Sequence, residues 1–121
     1  MPVPVPSHIF HITERSVFAA ALESGSFEAE TLKSEGFIHC STRDQVVRTA
    51  ARFFAGRAGL VLLCVEAARL GDALRYESAD GGSFPHCYAP IPLEAIPAVI
   101  DFPASPDGSF ELPQELALFQ D

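Results

Sequence analysis

Three of the four histidines stand in short segments that read as buried strands or strand ends: Phe10-His11-Ile12-Thr13, Gly36-Phe37-Ile38-His39-Cys40-Ser41-Thr42 and Phe84-Pro85-His86-Cys87-Tyr88. An imidazole carried into apolar surroundings is costly without partners, so three of them imply a shared polar cleft. His11 and His39 are each followed, two positions on, by a hydroxyl: Thr13 and Ser41. Residues two apart on a strand face the same side, so each imidazole gains a hydroxyl neighbour suited to ribose or phosphate oxygens. His39 and His86 are the candidates for proton transfer. His11, Thr13, Ser41 and Tyr88 are the candidates for holding a ligand.

Charge adds one more candidate. The chain carries a formal charge of −8, which excludes a broad basic face for nucleic acid. Yet Arg43, Arg48, Arg52 and Arg57 gather around Asp44 alone between Thr42 and Arg57, so a small anionic ligand fits that segment. At about 100° per residue, Val46, Ala50, Phe53 and Phe54 share one side of a helix, and Arg48 and Arg52 fall opposite, in water. The same arithmetic turns Arg43 inward, beside His39, Ser41 and the free N–H groups of the helix start, an arrangement suited to phosphate or carboxylate. No metal is expected, since the three histidines lack HExxH or i, i+4 spacing. Cys40, Cys64 and Cys87 lack C-x-x-C spacing and read as reduced, buried packing residues.

These groups need a scaffold, and 121 residues with 48% hydrophobic and 20% charged content suit one domain with a real core. Residues 1–7 read as a proline-rich tail and 8–121 as a single α+β domain. The longest apolar stretch, Leu60 to Val65, is far short of the roughly 20 residues of a membrane helix, and the start lacks a charged n-region. A cytoplasmic protein is expected.

His8 to Ile12 alternates like a strand, and Thr13 offers an N-cap to a helix bearing Val17, Phe18, Ala21 and Leu22, closed by Gly25. After a polar loop, Gly36 to Cys40 reads as a strand, and Thr42-x-x-Gln45 as a capping box opening a second helix that ends by Gly56. Leu60 to Glu66 fits a central strand, followed by a turn over 67–72 and a strand near Leu74 to Glu77. Asp80-Gly81-Gly82 signals a turn. Prolines 85, 90, 92 and 97 leave short extended pieces around 86–89 and 98–102, and 114–119 suits a last helical turn.

Ile9-Phe10-His11-Ile12-Thr13, Glu35-Gly36-Phe37-Ile38-His39-Cys40-Ser41, Gln45-Val46, Arg52-Phe53-Phe54-x-Gly56, Leu60-Val61-Leu62-Leu63, Tyr76-Glu77 and Phe84-Pro85-His86-x-Tyr88 together resemble the bacterial family called domain of unknown function 952. That family looks related to the ADP-ribosyltransferase fold, a split antiparallel sheet around an NAD-binding cleft with flanking helices. Phe10-His11-Ile12-Thr13 and Phe37-Ile38-His39-Cys40-Ser41 are similar to the Tyr-His-Gly-Thr-like and Val-His-Leu-Ser-like motifs of NAD-dependent RNA 2′-phosphotransferases. The resemblance implies that His11 and Thr13 face a ribose or the nicotinamide end and that His39 and Ser41 line the same cleft. His86 stands about where a third motif falls, in place of a catalytic glutamate. The expected function is binding of NAD, as co-substrate, or of an ADP-ribose-like nucleotide, with ADP-ribosyl transfer or a related phosphate-releasing step. Two alternatives stand beside it: a non-catalytic nucleotide-binding or interaction domain, and a two-histidine phosphoesterase.

Overall fold

The computed structural model describes residues 6–79 and 81–119. Along the chain run β1 (His8–Glu14), α1 (Arg15–Ser24), β2 (Ser26–Phe27), α2 (Glu30–Ser34), β3 (Ile38–His39), α3 (Arg43–Phe53) and β4 (Leu60–Glu66). β5 (Leu74–Ala79), β6 (Gly82–Cys87), β7 (Ile91–Pro92) and β8 (Ala98–Asp101) follow, with a last 3₁₀ turn at Gln114–Leu118. The result is the expected α+β domain with antiparallel sheets. Most of the proline-rich tail and Asp80 of the turn signal lie outside the described residues; Gly81, beside it, takes φ 81°, which glycine adopts without strain.

β4 is the spine. It pairs antiparallel with β1 on one side and β8 on the other, and Leu60 to Val65 are all buried. A strand covered on both faces has no use for polar alternation, which is why this run is continuously apolar. Val61, Leu63 and Val65 join Ile9, Phe27 and Ile38 in one core cluster; Leu60, Leu62 and Cys64 join Phe10, Ile12, Val46 and Phe102 in a second. Full burial of such side chains contributes roughly 1.5–3 kcal/mol each.

A second sheet, ordered β3-β6-β5, carries the other histidines, and β2 pairs with β7 separately. One bridge ties the two larger sheets: Phe10 and Ser41 exchange both backbone hydrogen bonds, at 2.8 and 2.7 Å. Directly beside it, the Cys40 amide donates to the Pro85 carbonyl at 3.0 Å. These few bonds bring β1, the β3 end and β6 together, and so bring their histidines together.

Several elements depart from the sequence reading. Thr13 does not cap α1: it pairs with Val61 inside β1, and Glu14 takes the N-cap position without a side-chain cap bond. Ladder pairing along β4 outweighs a cap worth about 1 kcal/mol. The polar loop after Gly25 contains β2 and α2, and the 67–73 turn is 3₁₀. β3 is only two residues long, and the extended piece near 86–89 belongs to β6, which ends at Cys87. Gly25 (φ 91°) and the Thr42/Gln45 capping box form as read. Among the described residues no helix is long and apolar enough to cross a membrane.

Candidate functional site

His11 shares the face of β1 that carries Ile9 and Thr13, and it is 8% exposed. Its Nδ1 lies 2.5 Å from the His39 backbone carbonyl. A carbonyl only accepts, so Nδ1 carries the hydrogen and Nε2 keeps its lone pair. Burial is the larger influence and brings the imidazole from 6.5 down to about 4, against the opposing pull of the carbonyl and with a smaller push from His39. At neutral pH His11 is therefore uncharged. Its ring rests 5.2 Å from that of Phe27.

His39 and His86 are direct cross-strand partners in the β3–β6 ladder, which places their rings 5.4 Å apart, edge to face. Their environments differ. His39 is about half exposed, with Nε2 3.1 Å from Glu35 one helical turn back in sequence. His86 is 5% exposed and stacked at 4.2 Å under Phe37, with Nδ1 2.8 Å from Glu77 Oε1. The Tyr88 hydroxyl donates to the same oxygen at 2.5 Å. Those two bonds, Tyr88's first, hold the Glu77 carboxyl below its usual range, and the carboxylate in turn pushes the Tyr88 phenol up. An ionised carboxylate only accepts, so His86 donates from Nδ1 and its Nε2 is left facing away from Glu77.

All three histidines line one cleft of about 820 Å³. Thr13 and Ser41 line it beside them; both are buried, and the Ser41 hydroxyl donates to Thr49 Oγ1 at 3.3 Å. α2 and its exit supply one wall through Glu30, Thr31 and Glu35; α3 supplies another through Arg48, Thr49, Arg52 and Phe53. Arg57 closes the α3 side, paired at 2.9 Å with Glu14 and lying over the Phe54 ring. The volume falls in the range of small-molecule sites.

The arginines are where the sequence reading needs correction. Arg43 does turn inward, but inward leads to the second core cluster, where its Nη1 reaches the Leu116 carbonyl at 3.4 Å; it does not line the cleft. Arg48 and Arg52, expected in bulk water, line it instead, because the face of α3 turned from the core is a cleft wall. Phe53, expected in the core, is 56% exposed at the end of α3, with the Arg52 guanidinium 5.3 Å from its ring. Val46 and Ala50 are buried as read. Tyr88 stands behind Glu77, with Arg75 over its ring at 5.1 Å, and does not line the cleft. Sequence reasoning gave Glu77 no role; the signal lies in the β5–β6 register, where Arg75 faces His86 and Glu77 becomes its diagonal neighbour. Burial pushes the thiols of Cys40, Cys64 and Cys87 up, Cys64 to about 12, in keeping with packing rather than reactivity. Among the described residues no three His, Cys, Asp or Glu side chains are grouped to hold a metal ion.

The architecture is thus an antiparallel α+β domain with a histidine-floored, arginine-walled cleft at the junction of its sheets. Residues 12–99 match the family described as protein of unknown function (DUF952), and the chain belongs to it. It is similar to protein CC0527 from Caulobacter crescentus: the crystal structure is 39% identical with a TM-score of 0.83, covering 91% of this chain and 98% of that one. The crystal structure of a double mutant of CC0527 matches at 38% identity with the same TM-score and coverage. The solution NMR structure of CC0527, 39% identical, gives 0.78 over 93% and 98% of the two chains. No curated protein matches this chain.

Proposed function

We propose that the cleft binds a small anionic nucleotide of the NAD or ADP-ribose type and performs ADP-ribosyl transfer or a related phosphate-releasing step. The fold assignment behind this reading is ADP-ribosyltransferase-like, as the two His-x-hydroxyl motifs suggest. The observation that carries it is the meeting, in one small-molecule-sized cleft, of a neutral His11 with Thr13 and Ser41 and a wall bearing Arg48 and Arg52. Imidazole and hydroxyl groups suit ribose hydroxyls; guanidinium groups suit phosphate.

In ADP-ribosyl transfer the bond from ribose C1′ to nicotinamide breaks, the nicotinamide leaves with that electron pair, and an acceptor oxygen bonds to C1′ while losing its proton. In this reading His86 takes that proton at Nε2, with Glu77 orienting the ring through Nδ1. His39, more exposed, positions the acceptor or leaving group. Arg43 and Tyr88 drop out as direct ligand contacts, since neither lines the cleft. We also read the protein as cytoplasmic, in keeping with three buried, unpaired thiols.

The second reading, a two-histidine phosphoesterase, is favoured by the 5.4 Å approach of the His39 and His86 rings, a spacing suited to a base and an acid on one phosphate. The test is titration with NAD, ADP-ribose and nucleoside 2′-phosphates, followed by NMR, together with an assay for released nicotinamide. Shifts at His11, Ser41 and Arg48 with nicotinamide release support transfer. Hydrolysis of a 2′,3′-cyclic phosphate without NAD supports the esterase. Shifts without turnover of either leave a binding domain.

A further inference from the structure

β1 and β3 meet at the Phe10–Ser41 bridge, so the outer edges of the two larger sheets are β8, of four residues, and β5, of six. Long edges are usually blunted by a proline, a bulge or a covering segment. β5 has no proline, its six pairs with β6 run without a bulge, and among the described residues no strand lies on its other side. Two of its side chains are also incompletely used. Glu77 accepts from His86 and from Tyr88 on the same oxygen, Oε1, which leaves Oε2 for another donor. Arg75 lies over the Tyr88 ring and forms no ion pair among the described residues.

Main-chain direction fixes how this edge can pair. Cys40 donates to the Pro85 carbonyl, so Pro85 turns its main chain toward β3; Tyr76, opposite Pro85, therefore turns its own away from β6, and Leu74 and Ser78 alternate with it. An antiparallel partner must meet these outward-facing positions. With a second copy related by a two-fold axis at residue 76, Arg75 stands opposite the partner's Glu77, and Glu77 opposite the partner's Arg75. These are the pairs without main-chain bonds, where side chains come closest. An axis at residue 75 sets Arg75 against the partner's Arg75, and one at residue 77 sets Glu77 against the partner's Glu77. One register alone answers both charges. We propose that β5 is a homodimer edge: two copies join through it into one continuous antiparallel sheet, each Arg75 guanidinium reaching Oε2 of the partner's Glu77. Chains of charge −8 repel at long range, so a matched pair of charges is what selects this edge for a second copy. Because Glu77 holds the His86 ring, each copy supplies an arginine that buttresses the other's cleft.

The experiment is sedimentation equilibrium of the full chain from micromolar to millimolar concentration. The natural protein is expected to reach twice the chain mass of 13.0 kDa. Arg75→Glu leaves only carboxylates at the two positions and Glu77→Arg only guanidiniums, so each variant alone should dimerise at least about tenfold more weakly, while their equimolar mixture restores the dimer. Ser78→Pro removes an outward-facing N–H and none from the β6 ladder, so it should keep the fold, read by circular dichroism, and lose the dimer. That variant carries the test if Glu77→Arg does not fold. A natural chain that stays monomeric throughout overturns the proposal, as does a dimer that Arg75→Glu and Ser78→Pro both leave intact. A mixture of the two folded charge variants that stays monomeric overturns the register and the proposal with it. None of these readouts involves a nucleotide, so the outcome is independent of the nucleotide reading.

Discussion

The His11 imidazole makes a sharp stability prediction. Its ordinary value of 6.5 falls to about 4 in the fold, and it is buried. Above 6.5 it is neutral in both the folded and the unfolded chain and has no pH-linked effect. As pH falls through 6.5 the unfolded chain takes up a proton that the folded chain refuses, so stability drops until the folded imidazole is protonated near 4. The full gap is worth about 3 kcal/mol, of which roughly 2 to 3 kcal/mol is already lost at pH 4.5. His11→Phe removes the titrating group while keeping an aromatic ring against Phe27. It also strips the partner from the buried His39 carbonyl, at a cost of about 1–3 kcal/mol. Urea unfolding should therefore find the variant less stable than the natural protein at pH 7.5, and the difference should shrink or reverse by pH 4.5. The NMR titration of the His11 ring should centre near 4. Parallel stability curves for the two proteins across this range would refute the reasoning.

Glu77→Gln should leave the fold intact but disturb the His86 tautomer, read from its ¹⁵N imidazole shifts; a tautomer unchanged from the natural protein would mean that Glu77 does not orient the ring. Arg48→Ala should weaken nucleotide binding by roughly 1.5–3 kcal/mol, the worth of a charge-assisted contact, whereas Arg43→Ala should leave binding unchanged and cost at most about 1 kcal/mol of stability. Equal effects on binding would remove α3's outer face from the site. Phe53→Ala should change thermal stability little, because its ring is more than half exposed, while Phe10→Ala should cost about 3–5 kcal/mol through a core cavity.

What could be read from the sequence was what short-range chemistry decides. The Thr42/Gln45 capping box, the αL glycine at Gly25 and the unbroken apolar run of β4 each need only a few neighbouring residues, and each formed where read. The meeting of His11, His39 and His86 was also legible, since imidazoles on apolar segments call for a common polar space, although only His11 and His86 are buried and His39 is about half exposed. What escaped depended on partners distant in sequence. Helical periodicity found the buried Val46 and Ala50 of α3, but it put Phe53 in the core and does not separate water from the wall of a cleft, so Arg48 and Arg52 were assigned to solvent. Arg43 was placed at the ligand because its inward direction was known and the C-terminal turn waiting there was not. Glu77 becomes visible only once the β5–β6 register is known. Thr13 looked like a cap because the pull of β4 on β1 lies 48 positions away, at Val61.

The bond from His11 to residue 39 ends on a main-chain carbonyl, not on the His39 ring. The two histidines are therefore mechanically uncoupled though they share a wall. Replacing the side chain at 39 leaves the anchor of His11 in place, held there by the Phe10–Ser41 bridge, one residue from His11 and two from His39. The floor of the cleft thus behaves as a fixed mount and position 39 as an exchangeable fitting. Chemistry at the mouth can be altered, by mutation or by redesign, without resetting the geometry beneath it.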